Sequence, residues 1–156
     1  MREIIVLAAL WGAAILYLLL KVPKGKRREA QMIFLFSQSV GWLYVYIQTL
    51  SGRMVFPFRE FPDATKMSLT LYYLFYPAIA VWFNLNYPEQ KRLSLKAAYF
   101  IGSAFGIQLI AWLLAEYTDL MEYRKYHWFL TFFINLSIII VIRIFYVWFR
   151  KGLIRK

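Results

Sequence analysis

The sequence predicts an all-α integral membrane protein, a single bundle of five transmembrane helices with the N-terminus outside and the C-terminus inside. Three observations carry that prediction. Of 156 residues, 62% are hydrophobic and 21% aromatic, against roughly 45 to 50% apolar in an ordinary soluble domain. The apolar residues are gathered into five stretches of about 17 to 22 residues, the length that crosses a hydrocarbon core of about 30 Å. The basic residues fall unequally on alternate connections between these stretches.

Residues 4–20 form the first stretch. It is longer than the roughly 7 to 15 residues of a signal-peptide core, and the following Lys21, Val22, Pro23 and Lys24 offer no small-x-small cleavage site, so it reads as a retained span. Residues 21–29 are charged and hold Pro23 and Gly25, the composition of a loop. The second span, 31–50, carries Ser37, Gln38, Ser39 and Gln48 and ends at Ser51 and Gly52. In residues 52–68, Arg53, Arg59, Glu60, Asp63 and Lys66 alternate with Met54, Val55, Phe56, Phe58 and Phe61. Pro57 and Pro62 exclude a regular helix there, and the phenylalanines predict a segment pinned to the bundle or lying on the bilayer surface.

The third span, 69–85, contains Pro77. A proline inside a membrane helix predicts a kink whose freed carbonyl finds another partner. Asn86, Tyr87 and Pro88 supply a turn, and Lys91, Arg92 and Lys96 a basic loop before the fourth span, 97–115. Asp119 and Glu122 have capping-box spacing, which predicts a helix start outside the bilayer ahead of the fifth span, 128–149. Tyr126, His127 and Trp128 read as that helix entering the interface, and residues 150–156 as a basic tail. No internal repeat or low-complexity linker divides the chain.

Charge gives the orientation. One set of alternate connections holds Lys21, Lys24, Lys26, Arg27, Arg28, Lys91, Arg92, Lys96, Arg150, Lys151, Arg155 and Lys156, with Glu29 and Glu89 as its only acids. The other holds Arg2, Arg53, Arg59, Lys66, Arg124 and Lys125, balanced by Glu3, Glu60, Asp63, Glu116, Asp119 and Glu122. The basic side is expected to be cytoplasmic. The net charge of +11 is then a topology signal and an attraction to anionic lipid, and nucleic-acid binding is not needed to explain it.

Several function classes are disfavoured. The chain has no cysteine, which excludes disulfides, thiolate metal sites and cysteine nucleophiles. Its one histidine, His127, cannot hold a metal alone. No nucleophile with a partner base and no Gly-rich phosphate loop is present, so no catalytic residue, metal site or cofactor is predicted.

Polar groups within the spans are the remaining pointers. Arg143 is expected to snorkel to the headgroups or to meet a carboxylate, phosphate or substrate. Gln38, Gln48, Asn84, Gln108 and Asn135 are for the most part expected to make interhelical hydrogen bonds worth about 0.6 kcal/mol each. Asn135 also opens a glycosylation sequon, which means nothing within a span. Gly102 and Gly106 form a GxxxG pattern, a packing face within the bundle or across a homodimer. In the 52–68 segment Arg59 is expected to pair with Asp63 or Glu116, or to hold an anionic headgroup or ligand. The plainer reading is a clamp that closes the outer face. Glu60 faces a separate partner, Asp63 is expected to cap the third helix, and Phe56, Phe58 and Phe61 pin the segment.

The run Phe56-Pro57-Phe58-Arg59-Glu60-Phe61-Pro62-Asp63-Ala64-Thr65-Lys66-Met67-Ser68, with Tyr76-Pro77, the residues 83–88 and the Lys21-Val22-Pro23-Lys24 loop, resembles a family of small, uncharacterised polytopic membrane proteins from spore-forming Firmicutes. The resemblance spans roughly residues 15–150, with its strongest part in the Pro-x-Arg-Glu-Phe motif. It implies a bacterial cytoplasmic membrane and carries no activity. The expected function is that of a non-enzymatic component that binds a membrane-protein partner or assembles with itself in the lipid bilayer. A small transporter, channel or lipid-handling protein is the alternative.

Overall fold

The computed structural model describes residues 2–125 and 127–154. Tyr126 of the expected helix entry, and Arg155 and Lys156 of the basic tail, lie outside the described residues. In chain order the elements are α1 (Arg2–Leu20), a 3-10 turn (Lys24–Lys26), α2 (Arg27–Leu50), β1 (Met54–Val55), a π-helical segment (Thr70–Phe75) running directly into α3 (Tyr76–Leu85), α4 (Leu93–Tyr117), β2 (Glu122–Tyr123) and α5 (Trp128–Ile154). The protein is all-α apart from one two-residue antiparallel ladder that pairs Met54 with Tyr123 and Val55 with Glu122.

Four helices, α1, α2, α4 and α5, are long and apolar enough to cross a membrane. Their outward faces carry large apolar side chains such as Ile5, Leu16, Leu43, Ile101, Phe133 and Ile144, all exposed. Water would penalise such a surface and lipid does not, so these helices form a membrane protein. α2, α4 and α5 overrun the apolar stretches at one or both ends. Lys and Arg can lay their stems along apolar surface while keeping their heads in polar surroundings, so a helix need not stop where charge begins.

The bundle has two distinct ends. At one, the ladder end, the 51–68 segment meets the 118–125 segment: the Phe58 N–H donates to the Asp119 carbonyl at 2.8 Å and the Arg124 N–H to the Arg53 carbonyl at 3.0 Å. Beneath them a core cluster joins Leu7, Val45, Met54, Phe56, Leu71, Leu114, Leu120 and Met121. At the other, the basic end, Val22, Ala30, Ile33, Val81, Ile142 and Tyr146 pack together. The third helical stretch connects the two clusters through Leu71 and Val81. It is short and buried, with Leu71, Tyr72, Ala78, Val81, Phe83 and Asn84 all inside.

Pro77 explains the shape of that stretch. It has no N–H for the Tyr73 carbonyl four residues earlier. The preceding turns widen, with the Tyr76 N–H reaching back five residues to the Leu71 carbonyl, and the Tyr73 carbonyl accepts from Gln38 Nε2 at 2.5 Å. The freed carbonyl therefore finds a partner on α2.

Two local expectations fail. Asp119 and Glu122 do not start a helix: residues 119–120 turn, Glu122 enters β2, and α5 begins at Trp128. Pairing with β1 and burial of Leu120 and Met121 outweigh a capping pattern that satisfies only a local preference. Phe61 does not pin its segment. The Ala64 and Thr65 N–H groups both donate to its carbonyl, and this turn around Pro62 leaves the ring 55% exposed, whereas Phe56 is buried and Phe58 packs against the ladder-end core.

Candidate functional site

At the ladder end the organising group is Glu60. Its carboxylate accepts from the Ser68 hydroxyl (3.1 Å), the Leu69 N–H (3.1 Å) and the Thr70 N–H (2.9 Å). These N–H groups begin the third helical stretch and have no partner within it, so a residue nine positions upstream caps the helix. Burial pushes the Glu60 carboxyl up, but the Thr70 side chain and the surrounding N–H donors outweigh it and hold the pKa below the ordinary carboxylate value. The Thr70 hydroxyl also accepts from Trp11 Nε1 at 2.7 Å, which ties α1 to the same point.

The cap therefore belongs to Glu60 and not to Asp63, which is exposed. Pro62 turns the chain between them and directs Asp63 outward. Arg59 makes no ion pair with Asp63 or Glu116, both of which are exposed. Its Nε is buried without a hydrogen-bond partner.

Midway through the bundle the polar groups pair in separate places. Asn135 Nδ2 on α5 donates to Gln108 Oε1 on α4 at 2.7 Å, and Gln38 is engaged with Tyr73. Asn84 Nδ2 donates to the Ala80 carbonyl at 2.9 Å, while its Oδ1 is buried and unpartnered. Asn84, Ser37, Asn135 and Tyr76 line a narrow cavity of about 80 Å³ among α2, α3, α4 and α5, otherwise walled by groups such as Ile107, Ala111 and Ile138.

At the basic end Arg143 is only 8% exposed, so it does not snorkel to the surface. Its Nη2 meets Glu89 Oε1 at 2.6 Å, its Nη1 donates to the Asn84 carbonyl at 3.3 Å, and its guanidinium lies 4.0 Å from the Tyr87 ring centroid. Arg150, two turns further along α5, holds the same Glu89 at 2.7 Å. Hydrogen bonding to Arg150 is the largest influence on Glu89 and, with Arg143, holds its pKa below the ordinary carboxylate value despite partial burial. Tyr146, between the two arginines on α5, donates its hydroxyl proton to Glu29 on α2. Glu89, Glu29 and Tyr146 were not singled out from sequence. A signal existed: a basic side with two acids invites the question of which cations they serve.

Gly102 and Gly106 face away from the bundle. A Cβ built on either meets nothing within 4 Å, so the small-residue pattern plays no part in packing the monomer. Among the described residues no group of three His, Asp or Glu side chains is placed to hold a metal ion. No family model, curated protein or solved structure matches the chain.

Proposed function

We propose that this is a five-span protein of a bacterial cytoplasmic membrane, N-terminus outside, that acts without catalysis by binding a membrane partner or a second copy of itself. The carrying observation is that Gln38 engages the Tyr73 carbonyl, Gln108 pairs with Asn135 and Arg143 with Glu89, in separate places, while of these intramembrane polar groups only Asn84 and Asn135 share a cavity. What is left open lies outside: the Gly102 and Gly106 face, bare of neighbours, lets another helix approach closely in lipid. Arg59, with Nε unpaired, offers a cation to an anionic group at the ladder end. The unequal basic residues support the orientation, and the third helical stretch joining both core clusters supports five crossings.

Because the chain has no cysteine, single cysteines at Lys26, Asp63, Gln90, Asp119 and Arg155 report topology without background. An impermeant thiol reagent on intact cells reaches Asp63→Cys and Asp119→Cys only; labelling at Lys26→Cys or Arg155→Cys overturns the orientation. Gly102→Ile with Gly106→Ile removes self-association in mild detergent while the monomer stays folded, because nothing in the bundle meets the new side chains. An unchanged oligomer distribution moves the contact elsewhere, and crosslinking from native membrane then identifies a foreign partner.

A second reading, a small transporter or lipid-handling protein, has one observation in its favour: the unpartnered Asn84 Oδ1 in a cavity roomy enough for a few waters or a small solute. If Asn84→Leu leaves a deletion phenotype fully complemented, that reading fails.

A further inference from the structure

Between the last turn of α1 and the first two turns of α2 lies a groove of about 360 Å³, lined by Leu18, Val22, Arg27, Ala30, Gln31 and Phe34. Arg27, Gln31 and Phe34 stand four and three residues apart on one face of α2, so the groove runs about 10 Å down the helix from the guanidinium to the ring. Along it the lining changes from charge to amide to hydrocarbon. That is the polarity gradient of a phospholipid from phosphate to acyl chain. Its floor is firm, because Val22 and Ala30 belong to the core cluster with Ile33, Val81, Ile142 and Tyr146.

The charge around the mouth is one-sided. Lys21, Lys24, Lys26, Arg27 and Arg28 are all exposed, and none makes an ion pair with a described residue. Glu29, the one acid in the segment, is half-buried and accepts the Tyr146 hydroxyl across the bundle. No described carboxylate pairs with Arg27, whose planar guanidinium matches a phosphate in two-point geometry. Basic pockets between helices at the membrane surface take anionic headgroups for this reason.

We propose that the α1/α2 groove binds one anionic phospholipid, its phosphate on Arg27 and one acyl chain lying over Ala30 and Phe34. The site rests on the protein being in a membrane and is independent of self-assembly and of which leaflet the basic end faces.

Thermal unfolding of the full chain in detergent, with phosphatidylglycerol or phosphatidylcholine added, reads the selectivity. The anionic lipid raises Tm by about 5 °C more than the zwitterionic one, the size that mass action at a saturated site produces. The difference between the two lipids is the readout, so a variant's own loss of stability cancels. Arg27→Gln removes at least half of that difference. Lys24→Gln, in the same loop and outside the groove, leaves most of it. Equal shifts with both lipids, or equal losses for Lys24→Gln and Arg27→Gln, overturn the site in favour of a diffuse charge effect. A second measurement does not depend on removing the arginine. Gln31→Cys carrying a bimane label, in vesicles, is quenched about twofold more by brominated phosphatidylglycerol than by brominated phosphatidylcholine, whereas Leu109→Cys on the exposed face of α4 shows no preference. Equal quenching by the two lipids at position 31 removes the proposal.

Discussion

Each end of the bundle is closed by a carboxylate, and the two carboxylates have opposite kinds of partner. At the ladder end Glu60 accepts from two backbone N–H groups and a hydroxyl, all within residues 68–70. At the basic end Glu89 holds two arginines of α5 from the loop after α3. The first arrangement sets where a helix begins. The second ties two helices together. The difference teaches that a charge in a bundle must be judged by what it leaves behind: removing Glu60 strands polar N–H groups, whereas removing Glu89 strands a nearly buried cation.

The largest expected effect follows from that asymmetry. Glu89→Ala leaves Arg143 without its ion partner and costs about 2 to 4 kcal/mol, read by detergent-driven unfolding in mixed micelles. Arg143→Ala costs less, since Arg150 still satisfies Glu89. If the two substitutions cost the same, the stranded-charge account of the basic end is wrong.

Glu60→Ala is next, at about 1 to 2 kcal/mol, with loss of order concentrated at residues 68–71 in hydrogen exchange. Both carboxyls also predict the same pH response. Each has a folded pKa below its ordinary value of 4.5, so the unfolded chain binds protons more readily than the folded one. Their stabilisation is complete above about pH 4.5 and is lost as the pH falls through the folded values. Glu60→Gln and Glu89→Gln each flatten this acid limb, and a limb unchanged in both variants assigns the acid sensitivity elsewhere.

Smaller still is the tie in the middle of the bundle. A double-mutant cycle of Gln108→Leu and Asn135→Leu gives a coupling of about 0.6 kcal/mol, and a value near zero denies the pair a stabilising role. The smallest expected change is in the stability of Arg59→Ala, within about 0.5 kcal/mol, because Arg59 has no ion partner to lose among the described residues. A loss of complementation at unchanged stability marks it as a contact for an anionic partner. A stability loss of about 1 kcal/mol or more makes it part of the clamp after all.

Much of this architecture is legible in one dimension. Length, hydropathy and the absence of charge are local properties of a span, and lipid requires each crossing segment to satisfy its own backbone. The helix positions and the need to rescue the Tyr73 carbonyl above Pro77 could therefore be read residue by residue. Partner choice could not. Whether Asp63 or Glu60 caps the third helix depends on the turn at Pro62, and whether Arg143 reaches water or Glu89 depends on how the loop after α3 folds back over α5.

The same division holds for the faces. Gly102 and Gly106 advertise close approach in any sequence reading, yet only the packed bundle shows that none of its own described side chains approaches them. Asp119 and Glu122 carry a helix-start pattern that β1 overrides by pairing across more than sixty residues of chain. By itself the sequence determined what must lie in lipid and which loops share a charge, because transfer to hydrocarbon acts on each segment independently. Tertiary structure alone decided which polar groups meet, because a hydrogen bond or ion pair depends on ångström-scale placement of residues that are distant in sequence.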